Sequence, residues 1–140
     1  ETKMWVSSTN VSNEYLTMLS RNIMDLMLNL TPDTVIAQHK QVLRLVDSQD
    51  SKDITAKLAE ISQIITKSNI SQNFFIKDIR IINKKHVVYI SGELQEYIDT
   101  TLSSSVKQIY KLTFRVSDFA ALLDNFELIK PDDSQLKGIF

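Results

Sequence analysis

"SNISQNFFIKDIRIINKKHVVYISGELQ", residues 68 to 95, is where the hydrophobic pattern of the chain changes period. Upstream of it apolar residues recur every three or four positions, as on one face of a helix. Within it they crowd together or alternate, as in strands. Phe74 to Ile82 is rich in aromatic and β-branched residues, and Asn83-Lys84-Lys85 turns it. Val88, Ile90, Gly92 and Leu94 then alternate with Tyr89, Ser91, Glu93 and Gln95. Gly92 is one of only two glycines, and inside a strand it marks a bulge or a sharp bend. Further on, Tyr110, Leu112, Phe114 and Val116 alternate with Lys111, Thr113 and Arg115. Leu122 to Ile129 reads as the last strand, ended by Pro131, and Asp99 to Ser105 as a long polar loop.

The upstream half is helical. Ser12 is placed to cap a helix by accepting a backbone N–H bond, with Glu14 near its positive start. Tyr15, Leu19, Ile23, Leu26 and Leu30 form its expected buried stripe, flanked by Leu16 and Met27. Met24 and Leu28 fall on one flank of that stripe and Met18 off the other, which marks all three as candidate partner contacts. Thr31 followed by Pro32 signals the start of a second helix, with Val35, His39, Val42 and Val46 on one face. Ile54, Leu58, Ile61 and Ile65 mark a third, closed by Ser68-Asn69. Asp47, Asp50 and Asp53 lack the glycine and alternate spacing of a calcium loop and read as acids favoured at that helix start. Helices followed by hairpin-ordered strands give an α+β fold: three N-terminal helices packed on a curved four-stranded antiparallel sheet.

Composition excludes more than it assigns. At 140 residues the chain is one domain with room for a real core. A net charge of -1 gives no bulk attraction to nucleic acid or to an acidic membrane. Without cysteine there is neither a disulfide nor a thiolate metal site. No apolar run approaches the roughly 20 residues of a membrane span. The start at Glu1 without methionine suggests an excised or processed domain, which leaves room for an anchor upstream.

Two glycines leave no phosphate-cradling loop and no nucleophile elbow, and two distant histidines make no local zinc site. No catalytic, cofactor or metal residues are therefore assigned. The one opening for an enzyme is a cavity in which His39 would act as base beside Tyr89 and Tyr110. Against it, a lone histidine on an apolar stripe is more often a satisfied core residue. Three Asn-X-Ser/Thr sequons, at Asn10, Asn29 and Asn69, matter only for a secreted eukaryotic protein. Trp5, beside Met4 and ahead of a polar run, has no core to join and suits the headgroup layer of a membrane.

A series of short matches in order resembles the periplasmic domain of the TraE family of conjugative type IV secretion proteins. These are Trp5-Val6-Ser7, Tyr15-Leu16, Leu28-Asn29-Leu30-Thr31-Pro32 followed by Val35, Gln38-His39 and Val42-Leu43-Arg44, then Asn73-Phe74-Phe75, Gly92-Glu93-Leu94, Tyr110 to Phe114 and Phe126-Glu127-Leu128. The family is similar to the VirB-type inner-membrane assembly factors. The resemblance implies a nuclear-transport-factor-like cone and no catalysis. It implies one membrane helix before Glu1, with the domain, residues 1–131, in the periplasm. Residues 1–11 would be a juxtamembrane lead-in and 132–140 a tail. The implied partners are further copies of the chain and other secretion subunits, with no cofactor and no specific nucleic acid. The family tends to place glycines in the turns before its last two strands. Here those turns carry Asp99-Thr100-Thr101 and Asp118-Phe119-Ala120, which leaves their geometry open.

Overall fold

A computed structural model describes residues 3–49 and 51–140. Asp50, one of the three aspartates above, and Glu1 lie outside the described residues. Helix α1 runs Asn13–Leu28, α2 Val35–Leu43 and α3 Ser51–Lys67. Strands β1 Ile70–Ile82, β2 Val87–Ile98, β3 Thr101–Ser117 and β4 Ala120–Ile129 follow, antiparallel, in the order β1-β2-β3-β4. This is the α+β architecture expected from the period change.

The cap of α1 is as read: Ser12 Oγ accepts the Tyr15 N–H at 3.1 Å, and it also accepts the Trp5 N–H at 3.0 Å. Its buried face is wider than the expected stripe. Leu16, Leu19, Ser20, Ile23, Met24, Met27 and Leu28 are buried, whereas Tyr15 and Leu26 are only half-buried. Met24 and Leu28 are therefore core residues, not partner contacts. The physical reason is that α1 packs against both α2 and the sheet, so two faces are covered where one stripe was counted.

Helix α2 starts later than Thr31-Pro32 signals. The Thr31 carbonyl accepts N–H bonds from Thr34 and Val35, both at 3.1 Å, while Thr34 Oγ1 accepts from the Thr31 N–H at 3.1 Å. The two threonines thus close a turn that holds Pro32 outside the helix. In α3, Ile54, Leu58 and Ile65 point inward, and Asn69 reverses the chain at φ 51°.

The expected polar loop at Asp99–Ser105 is not a loop. A two-residue turn, Asp99-Thr100, joins β2 to β3, and Thr101 already pairs with Ile98. Serines read as loop formers, but here their backbone continues the ladder. Both hairpin turns lacking glycine use positive φ: Asp99 at 55°, Asp118 at 50° and Phe119 at 64°.

Gly92 bends the sheet. It faces Ile76 just where β1 carries an extra residue, Lys77, in the register. A Cβ on Gly92 would lie 2.3 Å from the Phe75 carbonyl oxygen and 2.7 Å from Phe74 Cζ. The inner face so formed packs Phe74, Val88, Ile90, Tyr110, Leu112, Phe114 and Phe126 against the helices. The outer face carries Val87, Tyr89, Ile109 and Ile129, and the chain end covers them. Leu136 is buried there, the Tyr89 hydroxyl donates to Gln135 at 3.2 Å, and Arg80 lies over the Phe140 ring. Residues 132–140 are thus a strap across the sheet.

Candidate functional site

His39, Tyr89 and Tyr110 are the chemistry-bearing residues of the enzyme reading, and they do not converge. His39 on α2 is buried, with Nε2 3.2 Å from the Met27 carbonyl at the end of α1. Burial holds its pKa below the ordinary histidine value, and the backbone of Met27 and Leu58 opposes this only in part. The shallow groove beside it is lined by α2 and α3 residues, among them Ile36, Leu43 and Leu58, and by neither tyrosine. Tyr110 opposes Ile90 on the inner face, between Phe74 edge-on and Phe126 stacked, both with ring centroids at 5.3 Å. Its hydroxyl donates to Gln108, and burial, with Glu96 adding, pushes its pKa up. Tyr89 opposes Lys111 on the outer face, under the strap. The sheet itself separates the two tyrosines. Among the described residues no group of three or more His, Asp or Glu side chains is placed to hold a metal ion.

The surface candidates fare differently from one another. Met18 is exposed on α1, while Met24 and Leu28 lie in the core. Trp5 is 49% exposed beside exposed Met4. It is held in place through its backbone, since its carbonyl accepts the Ser12 N–H at 3.0 Å. Asn83, in the turn after β1, reaches the same corner and donates to the Val11 carbonyl at 2.9 Å.

Reading the sequence misses a charge cluster. Arg115 on β3 meets Asp47 at 3.0 Å and Asp124 at 3.7 Å, and donates to Gln49 at 2.7 Å. Asp47 is therefore not a helix-start acid. It is buried in the loop after α2, where its N–H bonds the Leu123 carbonyl at 2.8 Å and secures the β4 edge. Only the fold brings an arginine from a strand to that loop, so no spacing signals it.

A family model described as "TraE protein" matches residues 1–128. The chain belongs to the TraE family. It is 26% identical to Protein TraE of Escherichia coli (strain K12) over 121 residues, which are 86% of this chain and 64% of that one. Against Protein TraE of Salmonella typhi it is 23% identical over 110 residues, 79% and 59% of the two chains. It thus spans about three fifths of the length of these curated relatives. Three solved structures share its fold at low identity. A TraE protein in complex with 2-chloroisonicotinic acid superposes with TM-score 0.70 at 8% identity, covering 86% of this chain and 97% of that one. A TrwG component of a type IV secretion system from Bartonella birtlesii gives 0.65 at 10%, with 89% and 99% covered. Agrobacterium tumefaciens VirB8 gives 0.63 at 9%, with 86% and 94% covered. The curved sheet cupping three helices is the nuclear-transport-factor-like cone expected for the TraE family. Residues 129–140, which include the strap, lie beyond the family match. No helix among the described residues is long and apolar enough to cross a membrane.

Proposed function

We propose that the chain is a non-enzymatic structural subunit of a conjugative type IV secretion machine. It acts during plasmid DNA transfer by binding further copies of itself and other secretion subunits. A single membrane helix preceding this chain holds it at the bacterial inner membrane, with the domain in the periplasm. Membership of the TraE family over residues 1–128 is the observation that carries the reading. The fold shared with a type IV secretion component from Bartonella birtlesii supports it. So do the bonds that His39 Nε2 and the Tyr89 and Tyr110 hydroxyls make within the chain, to Met27, Gln135 and Gln108. No cofactor is expected, and the net charge of -1 gives nucleic acid no general attraction.

On this reading exposed Met18 contributes to a subunit contact, because a flexible, polarizable side chain suits an adaptable surface. Trp5 marks the membrane-proximal end. The test is deletion of the gene from a transfer-proficient plasmid, with a tagged full-length copy supplied in trans. Transfer is expected to be lost and restored, and other envelope subunits to co-purify from membranes with the tagged copy. Transfer undiminished by the deletion would overturn the proposal.

A further inference from the structure

The turn Asp118-Phe119 places a bulky aromatic at positive φ, a conformation that favours glycine, and leaves its side chain 69% exposed. Among the described residues its ring joins no aromatic pair and no cation–π contact. The turn also protrudes: the Phe114 N–H still bonds the His86 carbonyl, after which Arg115 to Ser117 pair with β4 alone. At strand rise this carries Ser117, and the turn beyond it, about 13 Å past the start of β2.

The same end of the sheet holds the Asn83–Lys85 turn, because Ile82 pairs with Val87 and Val87 with Thr113. Asn83 ties that turn to the N-terminal segment, and Asn83 and Trp5 line one shallow depression. Exposed Met4, Trp5 and Phe119 therefore share an end of the molecule with exposed Lys3, Lys84 and Lys85. Among the described residues no ion pair engages these lysines, whereas Arg115 nearby is taken by Asp47 and Asp124. Besides Asp47 and Asp124, which Arg115 engages, the described acids at this end include Glu14, on the rim of the depression, and Asp118, beside Phe119.

We propose that this end is a docking surface for an anionic lipid bilayer: Trp5 and Phe119 enter the headgroup layer while Lys84 and Lys85 meet lipid phosphates. Aromatic rings with a polar environment on one side and acyl chains on the other are favoured at that depth. Basic side chains beside them add attraction to an anionic surface within a Debye length. The proposal deepens the membrane-proximal reading of Trp5 but needs no anchor, so the chain alone carries the property.

Trp5 is the only tryptophan, so its fluorescence reports on this corner alone. Vesicles of phosphatidylethanolamine with phosphatidylglycerol are expected to shift its emission to the blue, with saturable binding. Phe119→Gly, which relieves the backbone rather than damaging it, is expected to weaken binding roughly tenfold. Lys84→Gln with Lys85→Gln weakens it roughly thirtyfold on these vesicles and hardly at all on phosphatidylcholine. Asp118→Asn strengthens it. An unchanged emission spectrum with vesicles, or a folded Phe119→Gly protein that binds them as the parent does, would overturn the proposal. Either result would leave the assembly role, which rests on transfer, as it stands.

Discussion

At Gly92 the fold depends on one missing atom. Any Cβ there meets the Phe75 carbonyl, which belongs to the backbone of the neighbouring strand and cannot swing away. Gly92→Ala is expected to cost about 3 kcal/mol in urea unfolding, near the upper end for overpacking. This residue was legible beforehand, because a glycine in an alternating strand has few uses other than a bend. His39 was legible as scaffold, though not its partner. His39→Asn loses the bond to Met27 and some packing, with an expected cost of about 2 kcal/mol. Its titration gives a sharper test. The folded pKa is lowered, so as pH falls below the ordinary histidine value the unfolded chain takes up a proton that the folded one resists. The stabilisation is full above that value and declines as pH falls towards the folded pKa. Melting temperatures measured between neutral and mildly acid pH are expected to fall less for His39→Asn than for the parent.

Among the elements, the two hairpin turns before β3 and β4 show where a sequence is quiet. Neither contains glycine, yet Asp99, Asp118 and Phe119 all take positive φ because the strands they join are already in register. Phe119→Gly is expected to raise stability by about 1 kcal/mol, seen as a higher urea midpoint at unchanged slope. The serine-rich start of β3 reads as loop for a related reason: ladder pairing with β2 is set by tertiary contact, and side-chain preference is only a weak guide to it. Helix α1 misleads differently. A wheel shows which residues share an arc but not how many neighbours the helix has, so Met24 and Leu28 read as surface. Met24→Lys is expected to unfold the domain, whereas Met18→Lys leaves it folded, as circular dichroism would show. The strap was unreadable too, since a short polar stretch with Leu136 and Ile139 shows no period. Leu136→Ala is expected to destabilise by about 2 kcal/mol and to expose the outer face of the sheet to a hydrophobic dye.

For the whole molecule, the sheet edges repeat the division between scaffold and contact. β1 is covered through Leu30 and Asn29, whose side chain accepts the Phe74 N–H at 2.6 Å. β4 is covered by the Asp47 loop and by Lys57, which donates to the Phe126 carbonyl. Covered edges limit indiscriminate pairing and leave exposed side chains such as Met18, Trp5 and Phe119 as the surfaces available for contact. The central claim is that the chain works by contact and not by catalysis. It is tested most directly by plasmid transfer from cells whose only full-length copy carries His39→Gln, Tyr89→Phe and Tyr110→Phe together. These changes remove each group a cone-fold enzyme would use while keeping shape. Transfer within about tenfold of the parent is expected, a margin allowing for roughly 1 kcal/mol lost with each hydrogen bond. Transfer abolished while the triple variant remains folded and present in the membrane fraction would contradict the account.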